Sequence, residues 1–179
     1  MQEMKKSYKN RQFISLDFIQ LIHSDIFETV DTLKGTVKAG WEGRFRLEMP
    51  HQQLVSNGIL FWSYSVENEQ VIVDSVAGLA GWNPLTLLYD PEGVYTCLKQ
   101  TDAGKSIDYE MTAIDSNTAP ASFILTAKKD NYVPVKLTYT DDNESRIDVF
   151  ISDFSRPDSL SESLFEFIPP KGVEVIEMP

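Results

Sequence analysis

The chain has 179 residues, of which 42% are hydrophobic and 24% are charged, and this composition is typical of a soluble globular domain. The 27 acidic residues outnumber the 16 basic ones, and the net charge of −11 argues against a nucleic acid or an anionic membrane surface as the main partner. The single cysteine, Cys97, excludes an intramolecular disulfide and a zinc site built from several thiolates. The length suits one domain over residues 1–179.

The first predicted element is a short polar helix over residues 2–10, with Tyr8 as its inward contact. Strands follow, because apolar and polar residues alternate with a period of two. In RFRLEM the apolar set is Phe45, Leu47 and Met49. In ILFWSYSVE it is Leu60, Trp62, Tyr64 and Val66. The sequence does not distinguish whether this second set is plain core or a wall that contacts a ligand.

A second short helix is predicted at NPLTLLYD, where Asn83 is the N-cap and Pro84 the first helical residue. Three more alternating strands come next in SIDYEMTA, VPVKLTYT and SRIDVFIS. A third short helix is predicted over residues 155–162. The chain then ends in FEFIPPKGVEV, where we expect a last strand through Phe165 and Phe167 to stop at the prolines.

Turn signals such as Asn57-Gly58 and Asp102-Ala103-Gly104 separate these runs and predict a meander of about 10–11 antiparallel strands. A long sheet with one apolar face must cover that face, and three short helices are too few to cover it flat. We therefore predict a mainly β fold: an incomplete antiparallel β-barrel with about three short helices across its mouth, whose interior is either packed solid or left as an apolar cavity.

The search for catalytic or metal-binding residues indicates a binding protein rather than an enzyme. His23 and His51 stand in polar surroundings without further metal ligands at workable spacing. Ser56 precedes a hairpin turn and lacks the glycines of a nucleophile motif, and Cys97 is interpreted as a structural thiol. No phosphate-binding or dinucleotide-binding motif is present, so we predict no enzymatic activity, no metal and no cofactor.

Five segments, taken in order, resemble one family across nearly the whole chain. They are FISLDFIQ, KGTVKAGWEGRFRLEMP, PHQQLVSNGILFWSYSVENEQV, NPLTLLYD and FEFIPPKGVEV. Each is modest alone, but their order and spacing are similar to those of the LolA-like periplasmic carriers of outer-membrane lipoproteins.

The resemblance implies both a fold and a task. The fold would be an open antiparallel barrel whose helices cover an apolar cavity. The protein would be a monomer in the periplasm, with its signal peptide removed. It would receive acylated lipoproteins from an inner-membrane ABC transporter, shield their acyl chains and pass them to an outer-membrane receptor.

The resemblance also implies site residues. Phe45 matches a family phenylalanine that borders the cavity, and Trp41-Glu42 stands where the family has the Arg-Pro pair that holds the lid. The expected cavity and lid residues are Tyr8, Phe18, Phe45, Leu47, Leu60, Trp62, Leu85, Leu87 and Leu88.

Three alternatives remain open. The same fold could hold another lipid or small hydrophobe, and the absent Arg-Pro pair favours this runner-up. A membrane-anchored receptor would need an N-terminal lipid-bearing cysteine, whereas Cys97 lies in mid-chain. An enzyme acting on lipids would need a catalytic constellation that the sequence does not offer.

Overall fold

The computed structural model describes residues 13–24, 27–76, 93–116 and 118–178. These ranges contain twelve β-strands and one short 3₁₀ helix. The strands are β1 Phe13–Ser24, β2 Thr29–Gly40, β3 Arg44–Met49, β4 Gln52–Asn57, β5 Leu60–Ser65, β6 Gln70–Ser75, β7 Tyr95–Asp102, β8 Ser106–Ala113, β9 Ser122–Lys128, β10 Pro134–Thr140, β11 Arg146–Ser155 and β12 Glu174–Glu177. The 3₁₀ helix is Glu162–Phe165.

The strands form one sheet in the order β12-β6-β5-β4-β3-β2-β1-β11-β10-β9-β8-β7. Because β12 and β7 stand at its two ends, this order does not close on itself within the described residues. The mainly β prediction is confirmed, with twelve strands instead of 10–11. The antiparallel prediction needs one correction, since β12 pairs with β6 in parallel.

The alternation read from the sequence places the core correctly. Phe45 and Leu47 of β3 are buried, while Arg44 and Arg46, which alternate with them, are only half-buried. In β8, Ile107, Tyr109 and Met111 are buried in the same alternating way. This pattern arises because successive side chains of a strand point to opposite faces of the sheet.

The lid of three helices is not supported. The described residues contain no α-helix. The third predicted helix, over residues 155–162, is wrong: Ser155 is the last residue of β11, and a single 3₁₀ turn begins only at Glu162. A segment this short has too few hydrogen bonds to stabilise a helix. The helices predicted over residues 2–10 and 83–89 lie outside the described residues.

The prediction for FEFIPPKGVEV is half right. The Lys171-Gly172 turn is present, with Gly172 at φ +92°, and β12 follows it. The strand expected through Phe165 and Phe167 is wrong, because Phe165 ends the 3₁₀ helix and the next residues have no regular structure. Alternating phenylalanines suggested a strand, but no neighbouring strand pairs with them.

The contacts divide the described chain into two compact units. The β3–β6 unit comprises residues 13–17, 34–76 and 155–178. The β7–β11 unit comprises residues 18–24, 27–33, 93–116 and 118–154. The assignment of residues 1–179 to one domain stays a prediction.

Candidate functional site

One face of the β3–β6 unit is a buried apolar surface, which we call the Phe45 face. Phe45 pairs with Ser56, and Ser56 pairs with Phe61, so their side chains share a face. The ring centroids of Phe45 and Phe61 are 6.0 Å apart. Leu47 and Leu54 form the next pair on this face, and the four apolar side chains are all buried. The Phe45 face therefore has the composition that an alkyl chain prefers.

The opposite face of the same strands holds a second apolar group, the Trp62 cluster. Trp62 pairs with Val55 on one side and with Val73 on the other. The buried members are Val55, Trp62 and Val71, packed against Tyr64, Val73, Phe167 and Val173. The rings of Tyr64 and Phe167 lie 5.6 Å apart, centroid to centroid. The Trp62 cluster is thus closed by residues that follow the 3₁₀ helix.

The strand register separates two residues that were expected in the same cavity wall. Leu47 and Trp62 were expected in one wall, yet they lie on opposite faces. Leu60 lies two residues before Trp62 on β5, so its side chain points to the same face as Trp62, and it is 39% exposed. The physical reason is the register of β3, β4 and β5: Trp62 lies opposite Val55, and Val55 lies opposite Arg46 rather than Phe45.

The two arginines of β3 hold the C-terminal segment, which we define as residues 162–173. Nη1 of Arg44 donates to both carboxylate oxygens of Glu162, at 3.0 and 2.8 Å, and its guanidinium lies 5.6 Å from the ring centroid of Phe165. Arg46 donates to the backbone carbonyl of Leu164 at 3.5 Å. The sequence offered no sign of what these two arginines would bind.

Trp41 and Glu42, which the resemblance led us to expect at the position of an Arg-Pro pair, begin the turn between β2 and β3. Glu42 has φ +64° and Gly43 has φ +76°, so this turn uses the left-handed region twice. The backbone of Glu42 lies directly against Gly58 in the turn between β4 and β5, where a Cβ atom would overlap the Glu42 carbonyl oxygen. Two hairpin turns therefore interlock at this end of the β3–β6 unit.

The β7–β11 unit also has a buried apolar face. Its central row, which we call the Tyr139 row, runs across four strands through Ile147, Tyr139, Phe123 and Met111. Ile147, Phe123 and Met111 are buried, whereas Tyr139 is half-buried. Burial and the nearby Asp141 carboxylate raise the pKa of Tyr139 above its ordinary value of 10.0. The Tyr139 hydroxyl is therefore a neutral hydrogen-bond donor at physiological pH.

The other face of the β7–β11 unit is polar and contains one buried carboxylate, Asp148. Burial raises its pKa, but hydrogen bonds from Lys136, Thr138 and Arg146 outweigh this and bring the pKa to about 2. Lys136 Nζ lies 2.8 Å from Oδ1, and His23 Nε2 lies 3.4 Å from Oδ2. The carboxylate thus stays ionised and joins strands β1, β10 and β11.

The predicted site residues fall into three groups. Phe45 and Leu47 lie on the Phe45 face, while Leu60 and Trp62 lie on the opposite one. Phe18 is buried on β1 and belongs to the β7–β11 unit. The remaining predicted residues, Tyr8, Leu85, Leu87 and Leu88, lie outside the described residues.

The residues considered for catalysis do not assemble in the described ranges. Ser56 is fully buried, and its Oγ accepts a hydrogen bond from the Gly58 backbone N–H at 3.1 Å. His51 is exposed and pairs with Glu67 at 3.1 Å. Over the same residues, no three His, Cys, Asp or Glu side chains are grouped so that they could hold a metal ion.

Buried apolar faces on one extended sheet are thus the common feature of the two units. The chain belongs to the LolA family of outer membrane lipoprotein carrier proteins, whose family model matches residues 9–168. This is a family of carriers rather than of enzymes. Within the described residues, no helix combines the length and apolar character needed to cross a membrane.

Proteins described as outer-membrane lipoprotein carriers in several bacteria are similar to this chain over most of its length. The chain is 29% identical to the outer-membrane lipoprotein carrier protein of Neisseria meningitidis serogroup C, over 97% of this chain and 84% of that protein. It is 29% identical to the carrier of Chromobacterium violaceum, over 97% of this chain and 85% of that protein. The family resemblance read from the sequence motifs is confirmed.

Solved structures support the fold. A LolA superfamily protein from Nitrosomonas europaea aligns with a TM-score of 0.53 and 12% identity, covering 93% of this chain and 97% of that one. An uncharacterised conserved protein from Thermus thermophilus aligns with a TM-score of 0.61 and 15% identity, covering 99% of this chain and 98% of that one. At these identities the likeness shows the fold alone.

Proposed function

We propose that this protein is a periplasmic carrier that binds the acyl chains of lipoproteins on its buried apolar surfaces. It takes them from an inner-membrane ABC transporter and releases them to a receptor at the outer membrane. The protein acts as a monomer. The observation that carries this proposal is the Phe45 face, a buried apolar surface in a chain of the lipoprotein carrier family.

The energetics of acyl chains explain why such a carrier needs the Phe45 face. Each buried CH₂ contributes about 0.8 kcal/mol, so acyl chains do not leave a membrane for water unaided. The described members of the Phe45 face offer apolar contact through Phe45, Leu47, Leu54 and Phe61. Apolar contact without ion pairs suits a carrier that must also release its cargo.

A release assay tests the proposal directly. Inner-membrane vesicles loaded with a radiolabelled lipoprotein and a cognate transporter are incubated with the protein and ATP, and the soluble fraction is counted. We expect lipoprotein in the soluble fraction in complex with this chain. If the same vesicles release the lipoprotein to an established carrier of the family but not to this protein, the proposal fails.

Variants connect that assay to the Phe45 face. Leu47→Gln places a polar side chain on the face, and we expect cargo release to fall severalfold because the amide must be desolvated. Ile124→Gln on the polar side of β9, where Ile124 is 41% exposed, is the matched control and leaves release unchanged. Urea unfolding of both variants separates a loss of binding from a loss of folding.

A second candidate is a carrier of another lipid or small hydrophobe. It is favoured by Trp41-Glu42, which stands where the family has its Arg-Pro pair. In this case the protein would bind a fluorescent fatty acid but would release no lipoprotein from the vesicles. The two assays together separate the two cargoes.

A further inference from the structure

The hydroxyl of Tyr139 stands out among the polar groups of the described residues. Tyr139 lies in mid-row on the apolar face of the β7–β11 unit, between Ile147 on β11 and Phe123 on β9. Both neighbours are buried to 3% exposure. Within the described part of the chain the Tyr139 hydroxyl makes no hydrogen bond. The Tyr139 oxygen is not one of the buried unpaired side-chain atoms of the described residues, so it retains access to solvent.

Another tyrosine of this unit, Tyr95, does find a hydrogen-bond partner for its hydroxyl. Tyr95 of the same unit is buried, and its hydroxyl donates to the backbone carbonyl of Ala119 at 3.2 Å. A phenol that serves only packing thus finds a backbone partner in this unit. Tyr139 keeps partial solvent access, and none of the described residues accepts a hydrogen bond from its hydroxyl, so this donor is available to an acceptor on a ligand.

We propose that Tyr139 positions the bound cargo by donating a hydrogen bond to an ester carbonyl of its acyl chains, which lie along the Tyr139 row. This rests on the proposed carrier function and adds a specificity residue to it. We infer the ligand from the chemistry of the Tyr139 row. An acyl ester is an apolar chain whose carbonyl accepts a hydrogen bond and which has no donor, so it is complementary to an apolar row with one donor.

The hydroxyl is suited to this task over the whole physiological pH range. Burial and the Asp141 carboxylate raise the pKa of Tyr139, so the phenol keeps its proton. A neutral donor also lacks the long-range attraction of an ion pair, so release of the cargo is not impeded. Tyr139 therefore contributes selectivity for ester-linked chains without trapping them.

Two matched probes test this inference: a diacylglyceryl-cysteine peptide and its dialkyl ether analogue of equal chain length. The ether lacks the carbonyl acceptors but keeps the alkyl chains. Wild-type protein is expected to bind the ester about tenfold more tightly than the ether, a difference of about 1.4 kcal/mol. Tyr139→Phe is expected to lower ester affinity to the ether value and to leave ether affinity unchanged.

Tyr64→Phe is the matched control, because Tyr64 belongs to the Trp62 cluster on the other face of the β3–β6 unit. It keeps the ester preference. The infrared carbonyl band of the bound ester is a second readout that is independent of stability. It lies at lower frequency in wild-type protein than in Tyr139→Phe.

Three results would overturn the inference in distinguishable ways. Equal binding of ester and ether by wild-type protein, or an ester preference that survives in Tyr139→Phe, removes the role of Tyr139 and leaves the carrier function standing. Failure of wild-type protein to bind either probe overturns the carrier function together with the role of Tyr139.

Discussion

The guanidinium of Arg44 on β3 holds the carboxylate of Glu162 at 2.8 Å, across 118 positions of sequence. The same guanidinium lies 5.6 Å from the ring centroid of Phe165, which is almost fully buried. One side chain thus combines an ion pair with a cation–π contact. Both contacts fasten the start of the C-terminal segment to the face that carries the Trp62 cluster.

We expect Arg44→Ala to loosen that segment. An exposed ion pair contributes at most about 1 kcal/mol, and a cation–π contact adds a similar amount. The predicted loss is therefore about 1–2 kcal/mol in the free energy of unfolding. Hydrogen exchange at the Leu164 amide, which is bonded to Ser161, should become faster.

Glu162→Gln tests the ion pair alone, since the glutamine keeps the shape and the ring contact remains. We expect a smaller loss than in Arg44→Ala, and a double-mutant cycle measures the coupling between the two positions. A coupling energy of zero would show that the ion pair seen in the structure adds no stability.

Trp62→Ala tests the assignment of Trp62 to the opposite face from Phe45. Trp62 is 8% exposed and packs on Val55 and Val71, so its removal should lower the free energy of unfolding by about 3–5 kcal/mol. The affinity for an acylated peptide, measured below the unfolding transition, should be unchanged in the molecules that remain folded. Trp62→Phe is the milder companion, and an affinity loss in that well-folded variant would contradict the assignment.

Gly58→Ala is expected to disrupt the interlocked hairpin turns. The new Cβ atom would overlap the carbonyl oxygen of Glu42, and Gly58 has φ +92°, which strains any other residue. Gly104→Ala is the matched control, because Gly104 has φ +79° but no atom within 4 Å of the added Cβ. The control should lose about 1 kcal/mol from strain alone. Urea unfolding should show a clearly larger loss for Gly58→Ala.

Asp148 is expected to contribute pH-dependent stability. Its pKa falls from the ordinary 3.8 to about 2 on folding, so the contribution is complete above about pH 4 and is lost as the pH falls toward 2. Allowing for solvent screening, the contribution is about 1–2 kcal/mol. Asp148→Asn should therefore be less stable than wild type at pH 7, and the difference should shrink between pH 4 and pH 2. Asp142→Asn in the exposed β10–β11 turn removes the same charge and is the control.

The fold was largely predictable because period-two alternation is a local property. Phe45 and Leu47, or Ile107 and Tyr109, can be assigned to one face of a strand without knowing any neighbour. Turn residues such as Asn57-Gly58 marked the strand ends for a similar reason. The short helices were less predictable. Over residues 155–162 the sequence signals for a helix were weak, and the structure has only the end of β11 and the start of a 3₁₀ turn there.

The candidate site was only partly predictable, because faces of different strands are matched by register. Leu47 and Trp62 are both apolar positions on alternating strands, and nothing local tells whether their faces coincide. The observed pairing of Arg46 with Val55, and of Val55 with Trp62, placed them apart. One shift of register would have reversed this result.

The sequence by itself determined the alternation within each strand, the positions of the turns, the acidic surface and, through the order of its motifs, the carrier family. Only the tertiary structure decided that Trp62 lies with Arg46 rather than with Phe45, that Glu162 meets Arg44, and that Tyr139 lies between the buried side chains of Ile147 and Phe123. The physical reason is the distance along the chain between the residues that interact. Side-chain alternation and turn formation depend on adjacent residues, whereas strand register and long-range ion pairs depend on how distant segments bury their surfaces together.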